Sequence, residues 1–99
     1  MSHSIDWSDE ALFALAEITE YIAQDKPGAA RRWNEGIVAA VELLHVTPYM
    51  GRRYAAGRGP EDRELVRGNY NIVYRVTDDA IHVLTIFEGH RLPPTPSEP

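Results

Sequence analysis

The chain contains no cysteine, which rules out disulfide staples and thiolate metal sites and fits a reducing compartment such as the cytoplasm. Also lacking is any run approaching the ~18–20 consecutive apolar residues of a membrane span. The N-terminus has neither the basic n-region nor the apolar h-region of a secretory signal. The sequence therefore predicts a cytoplasmic protein with no membrane partner. Lysine is almost missing, Lys26 being the single one, so positive charge rests on arginine. There is no P-loop, no G-x-G-x-x-G, no H-E-x-x-H and no nucleophile elbow. His3, His45, His82 and His90 are scattered, with no pair at metal-ligand spacing. Neither a metal nor a cofactor is expected.

What is present suits one small domain. Ninety-nine residues can enclose a single modest core, and 43% apolar with 25% charged residues is an ordinary globular balance. The net charge of −5 is unevenly spread. Residues 1–48 hold three basic and eight acidic side chains, whereas residues 49–77 hold six arginines against three acids. An acidic chain is a poor non-specific binder of nucleic acid, because that affinity comes from accumulated positive charge, so direct nucleic-acid binding is not expected. A local arginine group can still grip an anion or an acidic partner.

Ser4–Trp7 alternates polar and apolar residues and predicts a short first strand. Ser8 follows as an N-cap, with Asp9 and Glu10 where the helix dipole favours acids. Ala11, Leu12, Leu15, Ile18 and Ile22 then form one apolar stripe to about Gln24. Phe13 stands within the opposite, acidic face and is a candidate partner contact. Pro27 suits the first turn of a second helix, whose stripe of Ala30, Trp33, Ile37, Val41 and Leu44 runs to about His45. Gly36 is expected to permit close approach of a neighbouring element. The short connection predicts an antiparallel helical hairpin.

Residues 48–62 carry three glycines and two prolines without a hydrophobic period, which predicts a loop long enough to be functional. Three runs rich in Val, Ile and Tyr follow, separated by Gly68-Asn69 and Asp78-Asp79. They predict a three-stranded antiparallel meander. On the middle strand Tyr70, Ile72, Tyr74 and Val76 share one face, and Asn71, Val73, Arg75 and Thr77 the other. Ile81–Phe87 is apolar on both faces, as for a strand covered on both sides. Residues 92–99 form a proline-rich tail, extended or disordered, after a single domain spanning 1–91. The constellation above background is the arginine group with Tyr70, Tyr74 and His90, which adjacent strands and the preceding loop could bring to one surface.

Seven segments, in order, carry a resemblance: I-D-W-S-D-E-A (5–11), E-I-x-x-Y-I-A (17–23), D-K-P-G-A-A-R-R (25–32), P-Y-M-G-R (48–52), R-E-L-V (63–66), Y-N-I-V-Y-R-V (70–76) and F-E-G-H-R-L-P (87–93). With them the chain resembles the ParE/RelE superfamily of bacterial type II toxin–antitoxin toxins, the ParE-like branch in particular. The resemblance implies an α+β fold of order β-α-α-β-β-β, a helical hairpin on a mostly antiparallel four-stranded sheet. It implies a growth-inhibiting toxin that poisons DNA gyrase by protein–protein contact, with Arg52, Arg63, Arg75, His90 and Arg91 as target-binding residues. It further implies neutralisation by a cognate antitoxin with a ribbon-helix-helix or similar domain, bound through Phe13, Glu17, Tyr21 and Arg31. Antitoxin tails in such systems are commonly acidic and fold on binding. The alternatives within the superfamily are a RelE-like, ribosome-dependent mRNA endoribonuclease, with Arg63, Arg67, His90 and Arg91 as catalytic candidates, and a non-toxic relative that only binds an antitoxin. The single lysine and the net charge of −5 depart from the nuclease branch.

Overall fold

The Ser8 side chain begins the helical hairpin as expected, its Oγ accepting from the Ala11 N–H at 3.0 Å. The same hydroxyl donates to the Leu84 carbonyl at 3.0 Å, which fastens the helix start to the sheet. This is seen in a computed structural model that describes residues 3–90 and 93–95. The elements are β1 (Ser4–Trp7), α1 (Asp9–Ala23), α2 (Pro27–Leu43), β2 (Arg52–Arg53), β3 (Asp62–Arg67), β4 (Tyr70–Val76) and β5 (Ala80–Glu88). Pro27 does open α2, where its missing N–H costs nothing.

Among the described residues the sheet has five strands in the order β1-β5-β4-β3-β2. β1 runs parallel to β5, and the other neighbours are antiparallel. One strand more than expected arises because Arg52–Arg53 pairs with Arg63 and Glu64, inside the stretch expected to be all loop. At the first hairpin Gly68 takes φ 59°, which an L side chain rarely adopts.

Both faces of the sheet are covered. Ala11, Ile37, Ala40, Val41 and Leu44 of the helices pack on Leu65, Ile72, Tyr74 and Val76 and on Ile81, Val83 and Ile86. On the other face Tyr54, Val73, Leu84 and Phe87 form a second, smaller cluster. A bulge joins the two patterns in β5. Val73 lies opposite Thr85 and Tyr74 opposite Val83, which leaves Leu84 as the extra residue. It shifts the alternation by one, so that Ile81, Val83 and Ile86 all face the helices while Leu84 and Phe87 face away.

Two expectations within the helices are corrected. Leu12 is 48% exposed rather than part of the packed stripe, because Ala11, Ala14, Leu15 and Ile18 already fill the facing surface. Gly36 is exposed, with nothing within 4 Å of where a Cβ would stand, so it permits no close approach. Most of the tail (residues 92 and 96–99) lies outside the described residues. Within 93–95, the Pro94 carbonyl accepts the Tyr54 hydroxyl hydrogen bond, which ties that segment to the second cluster.

Candidate functional site

Two surfaces concentrate the candidate residues, and the first is the turn leading into β2. Tyr74 rises from the core of β4, and its hydroxyl donates to the Pro48 carbonyl at 2.9 Å while accepting the Gly51 N–H at 2.9 Å. Burial raises the Tyr74 pKa, and the Gly51 N–H and the charge of Arg63 oppose it. Gly51 is required there: a Cβ would stand 2.6 Å from the Glu64 carbonyl and 2.7 Å from the Tyr74 hydroxyl. Arg63 closes the turn from β3. Its Nη1 donates to the Gly51 carbonyl at 2.8 Å, and its guanidinium lies 4.8 Å from the Tyr49 ring centroid, a cation–π distance. The turn is thus held at three points, and it presents Tyr49 at 58% exposure, with Met50 beside it at 47%.

Among the described residues the candidate arginines do not converge on one surface. Paired residues on neighbouring strands share a face, so Arg63 opposite Tyr74 and Arg67 opposite Tyr70 lie on the helix side. Arg52, opposite Glu64, and Arg75, opposite Asp62, lie on the other side. Arg52 is exposed and pairs with Glu64 at 3.2 Å. Arg75 is committed to Asp62, with Nε to Oδ1 at 2.6 Å and Nη2 to Oδ2 at 3.2 Å. Arg63 and Arg67 stand about 14 Å apart along β3 at a strand rise of ~3.4 Å per residue. His90 follows β5 at the Arg67 end of the sheet, where Tyr70 pairs with both Arg67 and Glu88. Arg91 lies outside the described residues.

Asp62 explains what the long loop is for. Its carboxylate is completely buried, and it accepts the Arg58 main-chain N–H at 2.9 Å in addition to Arg75. Burial alone would raise its pKa, but the Arg75 side chain, the Arg58 N–H and the charges of both arginines hold it below the usual carboxylate range. A Cβ at Gly57 would stand 2.6 Å from the Asp62 Cβ. The loop is therefore folded onto its own strand, and Tyr54 reaches the second cluster from it.

The second surface is a groove of about 540 Å³ between α1 and the C-terminal half of β5. Ala14, Glu17, Ile18 and Tyr21 form its helical wall. Tyr70, Ile86, Phe87 and Glu88 form the sheet wall. The Phe87 ring lies on the opposite face, 6.2 Å from that of Tyr54, so the groove meets its main chain. Of the residues expected to contact an antitoxin, Glu17 and Tyr21 line this groove, Tyr21 at 72% exposure. Phe13 is 67% exposed on α1 and Arg31 is exposed on α2, and neither lines it. The residues missed in the sequence are Ile86 and Glu88, together with Tyr49 and Met50. A usable signal existed for the first two: a four-residue β1 cannot cover a nine-residue apolar strand. Among the described residues no group of three or more His, Asp or Glu side chains could hold a metal ion. No helix of the described residues is long and apolar enough to cross a membrane.

A helical hairpin laid on a mixed sheet is the architecture of a small α+β domain. The solved structure titled "Chromosomal ParDE TA system from P. aeruginosa" shares this fold, with a TM-score of 0.72 at 24% identity over 88% of this chain and 96% of that one. In sequence, the protein Y4kP of Sinorhizobium fredii (strain NBRC 101917 / NGR234), itself named as a candidate toxin, is 39% identical over 89 residues, covering 88% of each chain. The family model described as the ParE toxin of the type II toxin–antitoxin system, parDE, matches residues 5–93. The chain belongs to that family, and it is a toxin of the ParDE class.

Proposed function

We propose that this toxin arrests growth by binding DNA gyrase through protein–protein contact, and that a cognate antitoxin neutralises it. The observation that carries the reading is the dispersal of the arginines among the described residues. A ribonuclease of this fold would need cationic side chains gathered on the scissile phosphate, with a proton-transfer group beside them. Here Arg75 is engaged by buried Asp62, Arg52 is on the opposite face from Arg63, and His90 is at the Arg67 end of the sheet, away from Arg63. The turn that Arg63 and Tyr74 hold instead offers Tyr49 and Met50 beside Arg52, the aromatic, Met and Arg mixture enriched at protein interfaces. With gyrase as target, the site of action is the cytoplasm.

The test is inducible expression in bacteria without the antitoxin, following growth and a DNA-damage reporter together. Growth arrest with filamentation and reporter induction is expected, and Tyr49→Ala should reduce both. Arrest with an immediate fall in translation and a silent reporter would replace this reading with mRNA cleavage. Absence of arrest in a folded protein would leave only an antitoxin-binding role.

A further inference from the structure

The chain that leaves α2 crosses the sheet from one edge to the other before it forms β2, and it is pinned along its length. The His3 N–H, just ahead of edge strand β1, donates to the His45 carbonyl at 2.8 Å. Tyr74 of β4 holds the Pro48 carbonyl and the Gly51 N–H, and Arg52 and Arg53 pair with Glu64 and Arg63 of β3. Leu44 roots the crossing in the core. A connection fixed in this way ordinarily turns polar side chains to water. Here Leu43, Val46, Tyr49 and Met50 are four of the eight large apolar side chains that stand exposed among the described residues. The backbone aligns the first two. The N–H groups of Leu44, His45 and Val46 each bond three residues back, a 3₁₀ winding in which side chains three apart eclipse. Leu43 and Val46 therefore stand in line, and the Thr47–Met50 turn carries the apolar row on to Tyr49 and Met50.

Charge names the kind of surface this row fits. No acidic residue occurs from 43 to 60, in a chain whose net charge is −5. Arg53 lies opposite Arg63, on the side of the sheet that the crossing covers. Neither arginine has an ion-pair partner among the described residues. Resting on the reading of gyrase as the target, we infer that residues 43–53 are the ridge with which the toxin meets it. Leu43, Val46, Tyr49 and Met50 enter an apolar cleft on gyrase, and Asp or Glu side chains on the rim of that cleft face Arg53. The ridge is held in shape before it docks, so little ordering is lost on binding. It shares no residue with the groove between α1 and β5, so the two surfaces can be tested separately.

The test titrates the purified full chain with purified DNA gyrase and, separately, with the small protein encoded by the adjoining reading frame. Wild-type binding to gyrase is expected to saturate, and to weaken steeply as salt rises from about 50 to about 300 mM, because exposed charges are then screened. Leu43→Ser and Val46→Ser should each weaken it about tenfold or more, with thermal unfolding retained because both side chains already stand in water. Leu12→Ser is the control: Leu12 is 48% exposed on α1, as Leu43 is 49% exposed on the ridge, and this variant should bind gyrase as the wild type does. Arg53→Gln should weaken binding several-fold and flatten its salt dependence, and Arg53→Lys should restore both. Gyrase affinity unchanged in both ridge serine variants overturns the ridge while the gyrase reading stands. A loss as large in Leu12→Ser overturns it too, since any exposed apolar side chain would then serve. A wild type that does not bind gyrase overturns the gyrase reading and the ridge with it. Serine variants that keep gyrase but lose the adjoining protein would make the ridge an antitoxin surface and overturn the inference.

Discussion

The Asp62 carboxylate meets the Arg75 guanidinium with two contacts, at 2.6 and 3.2 Å, and none of Asp62 is exposed to solvent. The pair lies beneath the 53–61 loop and opposite the helical layer. Breaking such a pair from one side strands a buried charge, which costs about 3–5 kcal/mol. Arg75→Met should therefore unfold the protein or bring it close to unfolding, since a small domain has only about 5–15 kcal/mol in total. Asp62→Asn with Arg75→Met should recover much of the loss, because the desolvated charge is gone. Urea midpoints of the single and double variants decide the matter, and additive losses would mean that the two residues do not act as a pair.

The same carboxyl sets an acid dependence. Its folded pKa is lowered, so its contribution is present above the ordinary carboxyl pKa of about 4 and is lost as pH falls through the lower folded value. The wild type should lose stability below about pH 4 more steeply than the Asp62→Asn/Arg75→Met variant. Parallel curves from pH 5 to pH 2 would contradict this assignment.

A second dependence should appear at the alkaline end. Burial, then the charge of Glu64, pushes the Tyr54 hydroxyl up to about 12, and Tyr74 is raised as well. A phenol whose folded pKa is raised holds its proton longer in the folded state. Its contribution is complete below about pH 10 and is lost as pH climbs toward the folded value, at up to about 1.4 kcal/mol per pH unit for each group. Stability should fall between pH 10 and pH 12, and Tyr54→Phe should flatten part of that fall. Urea midpoints at pH 9, 10 and 11 provide the comparison, with tyrosinate absorbance as an independent count.

Much of the fold was legible because local signals and burial agree along most of the chain. Ser8 marks a boundary by the hydroxyl that caps the helix, Pro27 and Gly68 by their backbone properties, and the alternation from Tyr70 to Val76 matches the two faces of β4. Where legibility ended, the determinant was tertiary. Arg52–Arg53 forms a strand only because Arg63 and Glu64 lie alongside, and no periodicity can announce a two-residue pairing. The arginine group looked coherent because its members come from neighbouring strands. The side of the sheet on which each falls depends on register, which separates Arg63 from Arg75. Asp62 is the plainest case. A carboxylate in a glycine-rich loop reads as solvated, and only the fold shows that it is wholly buried.

Packing of the Trp33 ring gives a prediction for the helical layer. Trp33 is half-buried, with its ring 5.0 Å from that of Tyr70 in an edge-on arrangement. Truncation to alanine should cost about 3 kcal/mol, the lower end of the range for large aromatic residues, because part of the ring is already in water. Arg52→Ala should change stability by about 0–1 kcal/mol, since its partner contact is at the surface. Thermal unfolding of the two variants side by side checks the order. An Arg52→Ala loss equal to that of Trp33→Ala would mean the exposed pair is part of a larger network.

The turn before β2 allows positioning to be separated from charge. Arg63 both carries a positive charge and holds the Gly51 carbonyl and the Tyr49 ring. Lysine in its place keeps the charge but loses the planar fork that reaches one group while stacking on the other. If toxicity needs Tyr49 presented in place, Arg63→Lys should lose growth arrest nearly as fully as Arg63→Ala, with a stability cost of about 1–2 kcal/mol for either. Gly51→Ala, which drives a Cβ into the Glu64 carbonyl and the Tyr74 ring, should do the same from the other side of the turn, at about 1–3 kcal/mol. Growth curves are to be paired with the exchange rate of the Gly51 amide, which reports whether the turn has opened. Full toxicity in Arg63→Lys with a fast-exchanging Gly51 amide would show that charge, and not the held turn, is what the target meets.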